Sequence, residues 1–113
     1  MKTIIAGSRT ITNIEEVKSA ILLSGFNISE IVCGMAKGVD LLGKDYGVLN
    51  NIPVIEFPAN WKQHGIKAGY LRNQQMADYA TAAIVVWDGK SKGTKHMIDI
   101  ANSLNLKVRV CNY

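Results

Sequence analysis

The stretch Ala82-Ala-Ile-Val-Val-Trp-Asp-Gly-Lys-Ser-Lys-Gly-Thr94 decides the fold of this chain. Its first half is an uncharged run rich in β-branched residues, which is typical of a strand buried on both faces of a parallel sheet. Its second half combines glycines and lysines with hydroxyl-bearing residues. We predict that Gly89 and Gly93 let backbone N–H groups approach an anion at the positive end of the following helix, with Thr94 as its N-cap. The alternative is a glycine turn that only reverses the chain.

The composition is that of one folded domain. The chain has 113 residues, of which 48% are hydrophobic and 19% are charged, so it is long enough to bury a core. We therefore expect a single domain over residues 1–113. No apolar run reaches the roughly 18 residues of a membrane span, and the first residues become polar too early for a signal peptide. A cytoplasmic protein without membrane contact is expected.

Net charge and cysteine usage narrow the range of partners. The net charge of +4 favours anionic partners but is too small to indicate a nucleic-acid-binding protein. Cys33 and Cys111 each follow an apolar, strand-like run and lack metal-ligand spacing. We predict two buried free thiols rather than a disulfide or a zinc site, and we expect neither a metal nor a resident cofactor.

Strand-like and helix-like patterns alternate along the whole chain. Besides the stretch quoted above, strands are predicted over residues 2–6, 28–33, 53–57 and 107–111. A capping box, Thr12-x-x-Glu15, opens the first helix, which Gly25 ends. The second helix ends at Asn50-Asn51, a third spans residues 69–79 after a long non-periodic segment over 59–68, and a fourth follows Thr94. The predicted core-facing residues are Ile14, Val17, Ile21 and Leu22 in the first helix, Leu41, Leu42, Tyr46 and Leu49 in the second, and Met97, Ile98, Ala101 and Leu104 in the fourth.

Five strands alternating with four helices predict an α/β fold, a three-layer Rossmann-like sandwich around a parallel five-stranded sheet. Right-handed crossovers then cover both faces of the sheet, and the expected strand order is 3-2-1-4-5. In such sheets ligands bind beyond the carboxyl ends of the strands, where the strand order reverses. The loops after strands one, two and four would meet there.

These three loops share glycines next to cationic or hydroxyl-bearing side chains. That composition favours a ligand that carries phosphate. Considered singly, each cation is an ordinary solvated side chain, and Asp40 is an ordinary acid in a first helical turn. The residues concerned are Gly7, Ser8 and Arg9, then Gly34, Lys37 and Gly38, then Asp88, Gly89, Lys90, Gly93 and Thr94.

Four segments together resemble the YspA-like family of the SLOG superfamily. They are Ala6-Gly7-Ser8-Arg9, residues 34–40, Arg72-Asn73 with Met76 and Ala77-Asp78, and residues 87–94, so that the resemblance covers nearly the whole chain. The superfamily, named for the Smf/DprA and Lonely Guy proteins, has a Rossmann-like fold that binds nucleotides, and some branches are implicated in nucleotide signalling during bacterium–phage conflict. The resemblance implies a protein that senses or sequesters a nucleotide or a nucleotide-derived signal.

Residues 72–94 also resemble a segment of Lonely Guy phosphoribohydrolases, which split a nucleoside monophosphate into base and ribose phosphate. This implies a nucleotide hydrolase as the alternative function, with DprA-like nucleic-acid binding as a third. Lonely Guy enzymes place a catalytic glutamate shortly after their Gly-Thr pair, whereas Gly93-Thr94 is followed here by Lys-His-Met-Ile. Hydrolysis would therefore depend on Arg72 together with Asp40 or Asp88 as a substitute acid.

The segment over residues 59–68 adds an aromatic and cationic group. We expect Trp61 to stack on a base while His64 and Arg72, with nearby lysines, surround a phosphate. The alternative is that Trp61 covers the sheet edge and His64 is structural. Because exposed helix faces of small Rossmann-like domains often pair, and because Lonely Guy relatives form dimers, we also expect a homodimer or a larger homo-oligomer.

Overall fold

A parallel five-stranded sheet forms the centre of the molecule. The computed structural model describes all residues from Met1 to Tyr113. The strand order is 3-2-1-4-5 and every pairing is parallel, which confirms the predicted sheet. The strands are β1 (Lys2–Gly7), β2 (Glu30–Cys33), β3 (Val54–Glu56), β4 (Ala82–Trp87) and β5 (Lys107–Asn112).

Helices cover both faces of this sheet and complete three layers. They are α1 (Ile14–Ser24), α2 (Val39–Leu49), α3 (Trp61–His64), α4 (Ala68–Tyr79) and α5 (Lys92–Ser103). Helices α1 and α2 contribute to the apolar cluster on one face, and α4 and α5 to the cluster on the other. The Rossmann-like sandwich is therefore confirmed. None of these helices is long and apolar enough to cross a membrane.

Strand β4 is buried on both faces, as its sequence predicts. Ala83 and Val85 belong to one core cluster, while Ile84 and Val86 belong to the other. All four side chains are at most 2% exposed. Because its side chains enter both clusters, this strand joins the two cores. Burial of each large apolar side chain stabilises the fold by roughly 1.5–3 kcal/mol.

Two predicted helix caps are wrong. The N-cap of α1 is Asn13, whose Oδ1 accepts a hydrogen bond from the Glu15 N–H (3.0 Å), and not Thr12. The N-cap of α5 is Ser91, so that Thr94 lies inside the first turn and donates its hydroxyl hydrogen bond to Ser91 Oγ (3.0 Å). In both helices the N-cap is the residue with the stronger capping preference, since Asn and Ser rank above Thr at this position.

The segment predicted as a long non-periodic loop contains helical turns. Helix α3 is capped by Asn60, whose side chain accepts a hydrogen bond from the Gln63 N–H (3.1 Å), and a 3-10 turn over Gly65–Lys67 leads directly into α4. Every residue from Trp61 to Lys67 is exposed. Because these turns have no buried face, their sequence shows no apolar periodicity, and a loop was predicted in their place.

Several leucines predicted to face the core are exposed instead, namely Leu22 (79%), Leu49 (69%), Leu104 (43%) and Leu41 (37%). In α2 the reason is a pair of glycines. A Cβ at Gly43 would lie 2.7 Å from Ile5 Cγ2, and one at Gly47 would lie 2.6 Å from Val54 Cγ2. The helix therefore packs on the sheet along its glycines, which turns Leu41 and Leu49 outward.

Both cysteines are free thiols, as predicted. Cys33 is buried at the end of β2, whereas Cys111 is only partly buried in the edge strand β5. Burial raises the pKa of the Cys33 thiol to about 11, so it is protonated at neutral pH.

Candidate functional site

The carboxyl ends of β1, β2 and β4 open onto one hollow, which we call the central hollow. The loops after β1 and β2 supply Gly7, Arg9 and Ala36, and the start of α2 supplies Asp40. Helix α4 adds Arg72 and Asn73, and the start of α5 adds Ser91, Gly93 and Thr94. Residues from the three glycine loops, which we expected to meet at this edge of the sheet, thus line one space.

Glycines allow the loops to approach one another closely. A Cβ at Gly7 would overlap the Val86 carbonyl oxygen, and one at Gly38, whose φ is +80°, would overlap the Ser8 carbonyl oxygen. Ser8 is itself buried, and its Oγ accepts a hydrogen bond from the Asp88 N–H (3.0 Å). Ser8 and Gly38 therefore hold the loops together beneath the central hollow and do not line it.

Two guanidinium groups border the central hollow. Arg72 is half-buried; its Nη1 donates to the Gly34 carbonyl oxygen and its Nε donates to Asn73 Oδ1 (3.1 Å). Arg9 is exposed on the opposite loop. Burial, aided by the charge of Arg9, lowers the pKa of Arg72, although Asp40 opposes this effect. A bound anion would relieve the repulsion between these two cations.

The start of α5 presents backbone N–H groups to the same space. The first helical hydrogen bond runs from the Lys95 N–H to the Ser91 carbonyl oxygen (3.1 Å), and no side-chain cap or acid occupies the first turn. A Cβ placed at Gly93 would meet no atom within 4 Å. Free amides at the positive end of a helix, beside open space, suit an anion.

Asn73 is a site residue that the sequence motif contained but that was not predicted to be part of the site. It is 5% exposed, and its Nδ2 donates to the Gly93 carbonyl oxygen (3.2 Å) and lies 3.1 Å from His96 Nδ1. Its Oδ1 accepts the hydrogen bond from Arg72. Asn73 therefore positions both Arg72 and the start of α5, and its only signal in the sequence is its place directly after Arg72.

Asp40 is a buried carboxylate in the wall of the central hollow. It is 4% exposed, and its Oδ2 accepts a hydrogen bond from the Ala36 N–H (3.3 Å). Burial raises the pKa of Asp40 to about 6, although the charge of Arg72 and the N–H groups of Ala36, Gly7 and Gly34 act in the opposite direction. Asp40 is therefore the one carboxyl of the hollow that changes its charge near neutral pH.

The structure does not bring the rest of the third loop into the central hollow. Asp88 Oδ1 accepts hydrogen bonds from the N–H groups of Lys90 (2.8 Å) and Ser91 (2.9 Å), and these bonds lower the pKa of Asp88. Gly89 and Lys90 are exposed on the outside of the turn, where Gly89 has a φ of +81°. Asp88 shapes the loop, and of the two carboxyls considered as a substitute acid only Asp40 faces the hollow.

Other predicted residues lie in neighbouring depressions. Gly34 and Lys37 border a depression with Trp61, Arg9 and Arg72. Trp61 also lines an apolar depression together with Ile66 and Tyr70, and this depression adjoins the central hollow at Arg72 and Gly93. His64 is exposed in a further depression beside Gln74 and Gln75, which Arg72 also borders. Trp61 is thus next to the central hollow, and His64 lies farther around α4.

Comparison with known families gives one match. A family model described as YspA, cpYpsA-related SLOG family matches residues 1–64. The matched part runs from β1 through α3 and includes two of the three glycine loops, whereas Arg72 and α5 lie beyond it. Comparison with curated proteins and with solved structures finds no match.

Proposed function

Because the chain belongs to the YspA, cpYpsA-related SLOG family, which suggests a nucleotide-related function, we propose that it binds a nucleotide or a nucleotide-derived signal and so senses or sequesters it. The observation that carries this proposal is the central hollow, where Arg9 and Arg72 face the free amides at the start of α5. Charge-assisted hydrogen bonds to such groups contribute about 1.5–3 kcal/mol each. We assign the ligand's phosphate to this place.

The apolar depression next to the central hollow supports a nucleotide over a simple anion. Trp61, Ile66 and Tyr70 line it, and it shares Arg9, Arg72 and Gly93 with the central hollow. An aromatic ring there offers a stacking surface to a base whose phosphate lies at α5. The setting that the resemblance implies, nucleotide signalling in bacterium–phage conflict, is part of the same proposal.

Calorimetry with inorganic phosphate and with AMP tests the proposed function. Arg9→Ala and Arg72→Ala should each weaken binding of both probes about tenfold or more, because each change removes a charge-assisted contact. Arg109→Ala removes the same charge from the exposed face of β5 and should bind as the wild type does. Wild-type affinity in both hollow variants would refute the proposed site. Mass spectrometry of ligand released from the purified protein would identify the natural ligand.

A hydrolase remains the second candidate because of one observation. Asp40, whose pKa is raised to about 6, lies in the same hollow as Arg72 and is thereby suited to proton transfer. This candidate predicts steady release of free base from nucleoside monophosphates, detected by chromatography and lost in Arg72→Ala and Asp40→Asn. Long incubation that leaves the nucleotide intact, while binding persists, would exclude it and favour the binding protein.

A further inference from the structure

A carboxylate in the wall of an anion site requires an explanation. Asp40 and the start of α5 line the same central hollow. A phosphate placed against Asp40 would add a second negative charge to a group that burial already makes hard to ionise. Whatever part of the ligand contacts Asp40 should therefore carry hydrogen-bond donors and no negative charge.

We propose that Asp40 determines ligand specificity by accepting a hydrogen bond from a ribose hydroxyl group, so that the hollow selects a ribose phosphate over its 2-deoxy counterpart. This inference rests on the proposed nucleotide-binding function. It adds the sugar to the phosphate and base already assigned.

The arrangement of the hollows favours the sugar over the base as the partner of Asp40. In a nucleotide the ribose joins phosphate and base, so the group that shares the small hollow with the phosphate is the ribose. The base extends farther, and the apolar depression of Trp61 and Tyr70 adjoins the central hollow, with which it shares Arg9, Arg72 and Gly93. A carboxylate has about four lone-pair sites, and the N–H groups of Ala36, Gly7 and Gly34 engage three of them, so Asp40 retains capacity for about one hydrogen bond from a sugar hydroxyl.

Asp40 is ionised at neutral pH, and no cation forms a salt bridge with it. The charge of Arg72 of α4 acts on Asp40, Arg9 lines the same hollow, and the protonated Cys33 thiol lies at the end of β2. Helix α5 contributes Thr94 and Met97 to the hollow, neither of which is charged. No salt bridge engages the carboxylate, so it remains available to accept from a ligand above about pH 6.

Sugar phosphates without a base provide the sharpest probes. We expect the wild type at pH 7.5 to bind ribose 5-phosphate about tenfold or more tightly than 2-deoxyribose 5-phosphate, since a site built to hydrogen-bond a hydroxyl rejects the analogue that lacks it. Asp40→Asn should lose most of this preference while binding inorganic phosphate at least as tightly as the wild type. Asp45→Asn removes the same charge from the exposed face of α2 and should keep the preference.

The pH dependence of this preference is a second readout. The ratio of the two affinities cancels the titration of the sugar phosphates themselves, so it reports on the protein. In the wild type it should fall toward one as the pH drops below about 6 and Asp40 is protonated, and in Asp40→Asn it should not change with pH. A thermal melt of each variant confirms that it is folded.

The outcomes separate this inference from the function on which it rests. Phosphate binding that depends on Arg9, combined with equal affinity for the two sugar phosphates or with an undiminished preference in Asp40→Asn, overturns the role of Asp40 alone. Absence of any phosphate binding by the wild type overturns the proposed function and this inference with it.

Discussion

The pKa of Asp40 in this fold differs from that of a free aspartic acid. A first-turn acid normally gains from the positive helix end, yet desolvation at 4% exposure outweighs both that effect and the charge of Arg72. Its pKa of about 6, against an ordinary 3.8, means that the folded protein holds the proton more tightly than the unfolded chain does.

This difference predicts how Asp40 affects stability with pH. Below about pH 4 Asp40 is protonated in both states; between about 4 and 6 only the unfolded chain releases the proton, so the free energy of unfolding falls as the pH rises. The full change corresponds to about 3 kcal/mol. Urea unfolding should show wild-type stability falling by about this amount relative to Asp40→Asn from pH 4 to pH 7, while Asp45→Asn follows the wild type. Parallel wild-type and Asp40→Asn curves would contradict the prediction.

Helix α5 is the element that makes the hollow a place for an anion. No side chain accepts a hydrogen bond from its first-turn amides, and Asn73 of α4 fixes its start through the Gly93 carbonyl oxygen. Helices α4 and α5 therefore hold Arg72 and the free amides of α5 in one layer, which lowers the conformational cost of binding, while Arg9 approaches from the loop after β1.

Gly93→Val tests this role because it changes the approach of a ligand and little else. The added side chain would begin in space with no atom within 4 Å, so the melting temperature should be close to that of the wild type. Its branched bulk would cover the free amides, and phosphate affinity measured by calorimetry should fall about tenfold or more. Asn102→Val introduces the same residue at the exposed far end of α5 and should bind normally. Unchanged phosphate affinity in Gly93→Val would remove α5 from the site.

At the scale of the whole molecule, one exposed apolar group lies beside the hollow. Ile66 is 88% exposed, Trp61 50% and Tyr70 43%, and all three line one depression. Adjoining exposed apolar side chains commonly mark an interaction surface. A second copy of the chain covering these residues would also close the outer side of the proposed nucleotide site.

We therefore predict a homodimer that uses this surface. Sedimentation at micromolar concentration should show a dimer for the wild type and a monomer for Ile66→Glu, because a buried unpaired carboxylate opposes association. Leu22→Glu changes an equally exposed aliphatic residue of α1, in the opposite layer, and should remain dimeric. A monomeric wild type would contradict the prediction, and a dimer unaffected by Ile66→Glu would move the interface elsewhere.

The strands and helices of the sheet layer could be predicted from local patterns, whereas the strand order was predicted from the general rule for right-handed crossovers. The uncharged run of β4 required burial on both faces, and the αL conformation of Gly25, with a φ of 67°, ended α1 where the sequence placed a stop. These features depend on neighbours within a few residues, so the sequence carries them directly. The exposed turns over 61–67 have no buried face and left no such pattern.

The sequence by itself therefore determined the alternation of strands and helices, the parallel sheet and the edge at which the glycine loops meet. Only the tertiary structure decided which side chains of those loops reach the hollow. It turned Asp88 onto its own loop and buried Asp40 beside Arg72, and it placed Asn73 against Gly93, twenty residues away in the chain. Periodicity reports which face of an element is apolar, whereas burial of a polar group and its partners depend on elements that are distant in sequence.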